Sequence, residues 1–344
     1  MSTKKVERAL VIGDGSWGTT LALVLAKGGV ETTLWSAFPE QAAEIESARE
    51  NQRFLPGVAL PEGLHVTADP FRAAADVELA VSVVPTQFLR DVAVRFEDAL
   101  RGDTPLVSAT KGIEIETFRT PSSILAEVLG DRPLAVISGP SHAEEVARGM
   151  PASVVCASRD TALALRVQEA MSGDTFRVYT HTDPIGAELG GALKNVIAVA
   201  AGISDGLGLG DNAKAALITR GMVEMARFGR SLGADPATFF GLAGFGDLVA
   251  TCCSQHSRNR FVGERIGQGL SLKDVLAEMQ MVAEGVWTTK ALFGPEAEGN
   301  SISMPIAEQV HAVLFEGKDP REAVGDLMRR APTGEMDGLV QERA

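Results

Sequence analysis

The chain of 344 residues contains only three cysteines, an odd number that cannot form a fully paired disulfide set, and two of them, Cys252 and Cys253, are neighbours. This usage fits a reducing cytoplasm better than secretion. No apolar run approaches the ~20 residues that a membrane-spanning helix needs. The start, Met1-Ser2-Thr3-Lys4-Lys5, is charged, but the apolar run at 9–12 is broken at once by Gly13-Asp14-Gly15-Ser16. That run is too short for an export signal. Basic side chains are in deficit, 32 against 45 acidic ones, for a formal charge of −13. Proteins that live on nucleic-acid phosphates carry the opposite balance, which disfavours nucleic acid as a main partner. His65, His142, His181, His256 and His311 lack metal-ligand spacing and no Cys/His cluster joins them, so no metal is expected. There is no G-x-S-x-G elbow for serine hydrolysis and no repeat at a solenoid period. A soluble, cytoplasmic protein is the expectation.

Hydrophobic residues at 45% and charged residues at 22% are ordinary for a folded chain, and the length suggests about two domains. In the first half, short β-branched runs at 9–12, 32–35, 79–84, 106–109, 135–137, 154–156 and 176–179 alternate with helical segments such as 19–27 and 39–50. That alternation predicts an open, mostly parallel sheet with helices on both faces. Beyond residue 183, the segments 185–203, 212–232, 272–279, 287–298 and 305–315 have helical spacing and no strand pattern. Glycine-rich connectors stand at 205–210 and 241–246.

Gly13-Asp14-Gly15-Ser16-Trp17-Gly18 matches G-x-G-x-x-G between a strand and a helix. The first glycine permits the tight turn, the second lets the backbone approach a pyrophosphate, and the third lets helix and strand pack closely. The helix N-terminus then offers N–H groups to the phosphates. The fold class is therefore α/β: a Rossmann-like NAD(P)-binding domain over 1–183, an all-helical substrate and catalytic domain over 184–330, and a frayed polar tail over 331–344. The second strand ends in Trp35-Ser36-Ala37-Phe38, without the acid that usually bonds the ribose 2′-hydroxyl of NAD and without an arginine. Lack of the acid removes a repulsion against the 2′-phosphate of NADP, and Ser36 is positioned to donate to it. Both NAD and NADP stay open.

Lys194 lies on a helix of small and apolar residues, Gly190-Gly191-Ala192-Leu193-Lys194-Asn195-Val196-Ile197. A lone lysine more often snorkels from a helix flank, but in such surroundings it loses solvation, which lowers its pKa and suits it to proton transfer. Lys111 follows a strand end in Val107-Ser108-Ala109-Thr110-Lys111-Gly112, where ligands bind in open α/β sheets. Two lysines sharing a pocket depress each other's charge and suit a carbonyl that is polarised and protonated. Ser257-Arg258-Asn259-Arg260 offers a guanidinium fork and neutral donors to a phosphate. Surface ion pairs are the plain alternative for Arg258 and Arg260. Asp247, in Gly244-Phe245-Gly246-Asp247-Leu248, is either a solvated loop acid or a group that orients Lys194 or bonds a substrate hydroxyl.

Together these blocks resemble the bacterial-type NAD(P)-dependent glycerol-3-phosphate dehydrogenases over residues 9–330. Further blocks are Asn51-Gln52-Arg53-Phe54-Leu55-Pro56-Gly57, Val84-Pro85-Thr86, Ser138-Gly139-Pro140-Ser141, Thr219-Arg220-Gly221 and Val282-Ala283-Glu284-Gly285. The resemblance implies reversible oxidation of sn-glycerol 3-phosphate to dihydroxyacetone phosphate, chiefly for glycerophospholipid synthesis, with a homodimer possible. It implies that Lys194 is the proton acceptor and that Lys111 contacts substrate and cofactor. Gly139, Ser141, Lys194, Asn195, Asp247, Ser257, Arg258 and Asn259 would line the substrate site. Gly13, Gly15, Ser16, Trp17, Gly18, Ser36, Pro85, Ala143, Arg258, Val282 and Glu284 would touch NAD or NADP. Three departures stand out: positions 36–37 lack the usual basic or polar-aromatic residues, Ala283 replaces a usual valine, and His142 replaces a common phenylalanine.

Two other readings compete. A β-hydroxyacid dehydrogenase shares the two-domain plan, but the adjacent Lys194-Asn195 and the Ser257-Arg258-Asn259 block argue against it. A non-catalytic NADP-sensing module would keep the glycine loop and need neither lysine.

Overall fold

The computed structural model describes residues 5–279, 281–297, 302–337 and 339. The chain separates into two compact units, Met1–Thr110 with Pro121–Pro184, and Lys111–Thr120 with Ile185–Ala344.

The first unit runs β1 (Arg8–Ile12), α1 (Ser16–Lys27), β2 (Glu31–Trp35), α2 (Pro39–Ala48), β3 (Leu64–Thr67), α3 (Pro70–Ala73), β4 (Leu79–Ser82) and α4 (Thr86–Val94). It continues with β5 (Leu106–Ser108), α5 (Pro121–Leu129), β6 (Leu134–Ser138), α6 (Ala143–Ala147), β7 (Ala152–Ala157), α7 (Thr161–Met171) and β8 (Phe176–His181). The strands form one sheet in the order β3-β2-β1-β4-β5-β6-β7-β8. Neighbours from β3 to β6 are parallel, β7 is antiparallel to β6, and β8 is parallel to β7. The mostly parallel sheet expected from the sequence is present. Its central strand explains the uninterrupted apolar run at 9–12. Ala9 and Val11 join the core on one face of the sheet, and Leu10 and Ile12 join the core on the other, as strands covered on both faces must. The sequence pattern did not reveal β3, whose four residues alternate buried Leu64 and Val66 with exposed His65.

The second unit is helical: α8 (Pro184–Gly206), α9 (Gly210–Ser231), α10 (Asp247–Cys253), α11 (Arg258–Gly267), α12 (Leu272–Ala277), α13 (Glu284–Leu292), α14 (Pro305–Phe315) and α15 (Pro320–Met328). Residues 186–204 of α8 are all buried, so the other helices pack around it. The expected helix at 287–298 begins earlier, at Glu284, and ends at Leu292, just before Gly294-Pro295; Glu298 lies outside the described residues. The expected connector at 241–246 is instead a π-helical turn, Leu242–Gly246, that runs directly into α10.

Two boundaries differ from expectation. The expected division at 183/184 falls one residue from the observed one, but Lys111–Thr120 leaves the sheet unit and belongs to the helical one. The cause is hydrophobic: Ile113 sits in the helical unit's core, and Phe118 packs edge-on against Phe228 of α9 with ring centroids 6.5 Å apart. The tail expected to fray is held where it is described. Arg220 and Arg230 of α9 donate to the carbonyls of Glu335 and Leu339, and Arg227 lies 3.5 Å from that of Asp337.

Candidate active site

In the sheet unit the glycine loop joins β1 to α1 at the point where the strand order reverses, with β2 on one side of β1 and β4 on the other. Gly13 has φ of 113°, and a Cβ there would lie 3.1 Å from the Val83 carbonyl oxygen. A Cβ on Gly18 would fall 1.8 Å from the Gly13 oxygen, so helix and loop touch as the motif requires. Gly15 differs from both. Its backbone is extended, with φ of −62°, and a Cβ would meet nothing within 4 Å. Neither conformation nor internal packing demands glycine there, and the open space leaves room for a pyrophosphate to approach the backbone at the α1 N-terminus. Ser16 and Trp17 begin α1, and Thr20 donates to the carbonyl of Ala143 at 3.2 Å, which ties the start of α6 to α1. Pro85 stands exposed just after β4.

Ser36 does not present the donor expected of it. It is fully buried, and its hydroxyl donates to Asp14 Oδ2 at 2.8 Å. Burial raises the Asp14 carboxyl above its ordinary range, against the Ser36 hydrogen bond and the charge of Arg53. Asn51 donates to the Asp14 carbonyl and to Thr19, locking the loop from below. Gly139 and Ser141 follow β6, with Gly139 at φ of 142° packed on Val154 and the Ser141 hydroxyl donating to the Gly139 carbonyl. His142 immediately precedes α6 and does not cap it through its side chain.

In the helical unit three charged groups meet. Lys194 is only 6% exposed and Asp247 2%. Lys194 Nζ donates to Asp247 Oδ1 at 2.9 Å, and Lys111 Nζ donates to Asp247 Oδ2 at 2.6 Å. One carboxylate thus holds two ammonium groups, one on each oxygen. The backbone makes this possible: a Cβ on Gly190, one turn before Lys194, would lie 2.7 Å from the Ala243 oxygen. The π-helical turn therefore packs directly on α8 and delivers Asp247 to Lys194, a use of such turns common at functional sites. Burial lowers the Lys194 pKa to about 8, with Lys111 adding to the effect and Asp247 opposing it. Burial alone would raise Asp247, but the two lysines hold it below the usual carboxylate range.

Thr251 completes the group and was not singled out from the sequence. Lys194 Nζ donates to its hydroxyl at 2.6 Å. The signal was available: Thr251 lies four residues after Asp247, on the same face of α10.

The Ser257-Arg258-Asn259 block opens α11. Ser257 caps the helix by accepting from the Arg260 N–H at 3.2 Å, and Arg258 is exposed. Asn259 is held at both ends of its amide: Nδ2 donates one of its two hydrogens to Asn195 Oδ1 at 2.8 Å, and Oδ1 accepts from the Gly285 N–H at 2.8 Å. Asn195 is engaged at its other end too, donating to the Gly191 carbonyl. These two amides fasten α8, α11 and the start of α13 together, and Asn259 also lies in the first turn of α11, whose backbone N–H groups have no partner within the helix. Val282 and Glu284 lie half-buried at that start of α13. Arg260 forms the plain alternative, an ion pair with Asp205 at 2.6 Å. Among the described residues no group of His, Cys, Asp and Glu could hold a metal ion.

The family model of the NAD-dependent glycerol-3-phosphate dehydrogenase N-terminus matches residues 8–164, and that of the C-terminus matches residues 183–325. The chain is 52% identical over 327 residues to a glycerol-3-phosphate dehydrogenase [NAD(P)+] of Geobacter sp. (strain M21), covering 94% of this chain and 97% of the relative. It is 49% identical over 329 residues to the protein of that name from Chlorobium phaeobacteroides (strain BS1), covering 95% and 98%. The crystal structure of glycerol-3-phosphate dehydrogenase from Coxiella burnetii superimposes with a TM-score of 0.90 at 40% identity, covering 95% of this chain and 99% of that one.

Removing the carboxylate from a buried ion cluster strands the opposite charges, which costs about 3–5 kcal/mol. Asp247→Asn should lose stability of that order against urea, and adding Lys194→Met should restore part of it. An Asp247→Asn protein as stable as the parent would remove Asp247 from the clamp.

Proposed function

The chain belongs to the NAD(P)-dependent glycerol-3-phosphate dehydrogenase family, and we propose that Lys111, Asp247, Lys194 and Thr251 form its proton-transfer centre. The enzyme interconverts dihydroxyacetone phosphate and sn-glycerol 3-phosphate with NAD(P) as coenzyme. The observation that carries the assignment is the buried carboxylate shared by two lysines.

When bound, the reduced nicotinamide supplies a hydride to C2 of dihydroxyacetone phosphate. The protein's part is the proton. As C2 accepts electrons, its carbonyl oxygen becomes an alkoxide, and Lys194 Nζ gives it a proton. A lysine whose pKa burial lowers to about 8 is charged at neutral pH yet releases its proton far more readily than an exposed one. Lys111, held on the other oxygen of Asp247, brings a second nitrogen donor to the developing alkoxide. Asp247 and Thr251 accept from Lys194 and fix the direction of its remaining hydrogen. In the reverse direction neutral Lys194 takes the hydroxyl proton.

The phosphate goes to the α11 N-terminus. The first-turn N–H groups of Arg258 and Asn259 and the Arg258 guanidinium form an anion site there, and binding at the phosphate holds C2 in register. In the sheet unit Gly13, Gly15, Ser16, Trp17 and Gly18 would hold the coenzyme pyrophosphate, with Pro85 and Ala143 nearby in the same unit. We assign Gly139 and Ser141 to the substrate and Val282 and Glu284 to the coenzyme on the strength of the family motif. Three free thiols, two of them buried, support a cytoplasmic setting. A homodimer belongs to the same reading, and sedimentation decides it.

The pH dependence follows from the sign of the Lys194 shift. Reduction needs the charged lysine, so kcat for dihydroxyacetone phosphate should fall as pH rises through about 8, while kcat for glycerol 3-phosphate oxidation should rise over the same window. Lys194→Ala should lower kcat by about 10²–10⁴-fold and abolish both limbs. Limbs that persist in a folded Lys194→Ala protein would assign the proton elsewhere.

Arg258→Ala should raise KM for dihydroxyacetone phosphate by roughly 10–100-fold, the loss of one or two charge-assisted hydrogen bonds, and change the reduction of unphosphorylated dihydroxyacetone much less. Equal losses with both substrates would remove Arg258 from the phosphate site.

A further inference from the structure

The end of the second strand is where a Rossmann-like sheet meets the adenosine ribose of its coenzyme, and a side chain there decides between a 2′-hydroxyl and a 2′-phosphate. In this chain the segment is Ser36-Ala37-Phe38, with no acid to bond a hydroxyl. The Ser36 hydroxyl is turned inward to Asp14. The strand end itself therefore supplies no charged group that could make the choice.

A cation reaches this place from another element of the same unit. Arg95 caps the C-terminal end of α4. Its guanidinium carbon lies 5.7 Å from the centre of the Trp35 ring, the last residue of β2, and Nη1 is 3.4 Å from the Ala37 carbonyl oxygen. Trp35 is a fixed platform: it is buried, its indole N–H donates to the Ala68 carbonyl at 3.0 Å, and its ring meets Phe96 edge-on with centroids 5.0 Å apart. Arg95 is exposed. Arg49 and Arg90 in the same unit are paired with Glu46 and Glu127, whereas Arg95 has no carboxylate at ion-pair distance among the described residues. One long bond to a carbonyl leaves the rest of its N–H fork for a ligand.

Two acids stand at the same end of the sheet. Asp14 is buried, accepts from Ser36 and faces the charge of Arg53. Asp69 Oδ1 accepts from the Phe71 and Arg72 N–H groups as the cap of α3. Both carboxylates are thus engaged with other groups, and the guanidinium presented beside Ala37 is that of Arg95.

We propose that Arg95 binds the 2′-phosphate of NADP and makes NADP the preferred coenzyme of this chain. The planar fork suits a phosphate bidentately. A 2′-phosphate at the end of β2 meets a cation, whereas the 2′-hydroxyl of NAD meets no carboxylate that would favour it. The inference rests on the reading that the loop Gly13-Asp14-Gly15 holds the coenzyme pyrophosphate, which brings the ribose to the end of β2.

The test compares ligands that differ only in that phosphate. Calorimetric titration of the full-length protein with 2′,5′-ADP and with 5′-AMP reads the adenosine half of the site without turnover. The kcat/KM values for NADPH and NADH with dihydroxyacetone phosphate read the whole coenzyme. The parent should bind 2′,5′-ADP more tightly than 5′-AMP and should favour NADPH. Arg95→Gln should weaken 2′,5′-ADP and lower kcat/KM for NADPH by roughly 10–100-fold, the loss of one or two charge-assisted hydrogen bonds, and change 5′-AMP and NADH much less. Arg95→Lys keeps the charge, loses the fork and should fall between. Ala37→Asp should place a repelling charge at the 2′-phosphate and turn the preference to NADH. A parent that favours NADH, or an Arg95→Gln protein that keeps the parent's preference, overturns the proposal and leaves the coenzyme loop standing. Equal losses for both members of each ligand pair also overturn it, because Arg95 then shapes the strand end without reading the phosphate. A parent that binds neither nucleotide and turns over with neither coenzyme defeats the loop assignment itself, and the proposal with it.

Discussion

The helical unit is organised around one buried carboxylate. Asp247 neutralises two ammonium groups that could not otherwise lie together away from water, since each would lose hydration and repel the other. Satisfying it draws together segments far apart in the chain: the excursion that carries Lys111, the long helix α8, and the π-helical turn that leads into α10. The close contact of Gly190 with the Ala243 oxygen is what lets the turn approach α8. A side chain at that glycine would push the carboxylate away from Lys194. The same arrangement sets the chemistry, because the balance between burial and the shared counter-charge brings the Lys194 pKa to about 8.

The neighbouring packing serves the same geometry. Glycines 202 and 263 let α8 and α11 touch backbone to backbone, where a Cβ on either would lie 2.0 Å from a carbonyl oxygen of the other helix. The Asn195–Asn259 pair then joins those helices to the N–H of Gly285. The first turn of α11, to which we assign the phosphate, is thereby fixed relative to Lys194, and a substrate anchored there would be held in register at C2. The net charge of −13 is no obstacle to phosphate recognition, since the site needs only a few local cations and helix N–H groups.

Much of this was legible in the sequence, and the parts that were not share a cause. The glycine loop could be read because its turn, its flanking strand and its helix are all local. Lys194 stood out because a charged residue among small and apolar neighbours is costly without a purpose. The transfer of Lys111–Thr120 to the helical unit was hidden, because it depends on Phe118 finding Phe228 and on Ile113 joining a core built from distant helices. Asn195 and Asn259 were placed at the substrate through the resemblance, and Ser36 was read as a donor from its place at the end of β2. Only the fold reveals that the two amides bind each other and that the Ser36 hydroxyl is given to Asp14. Strand β3 escaped because four residues with one histidine carry too little periodicity. The division of site residues between the two units was readable from motif order, but the hydrogen bonds that decide each residue's role were not.

The central claim is that the Lys194 nitrogen itself carries the proton, and chemical rescue tests it directly. Small primary ammonium ions added to a Lys194→Ala enzyme should restore part of the lost dihydroxyacetone phosphate reduction, saturably, with rates that follow the acidity of the amine. A variant that binds both substrates as tightly as its parent, yet gains no turnover from any amine, would contradict the account.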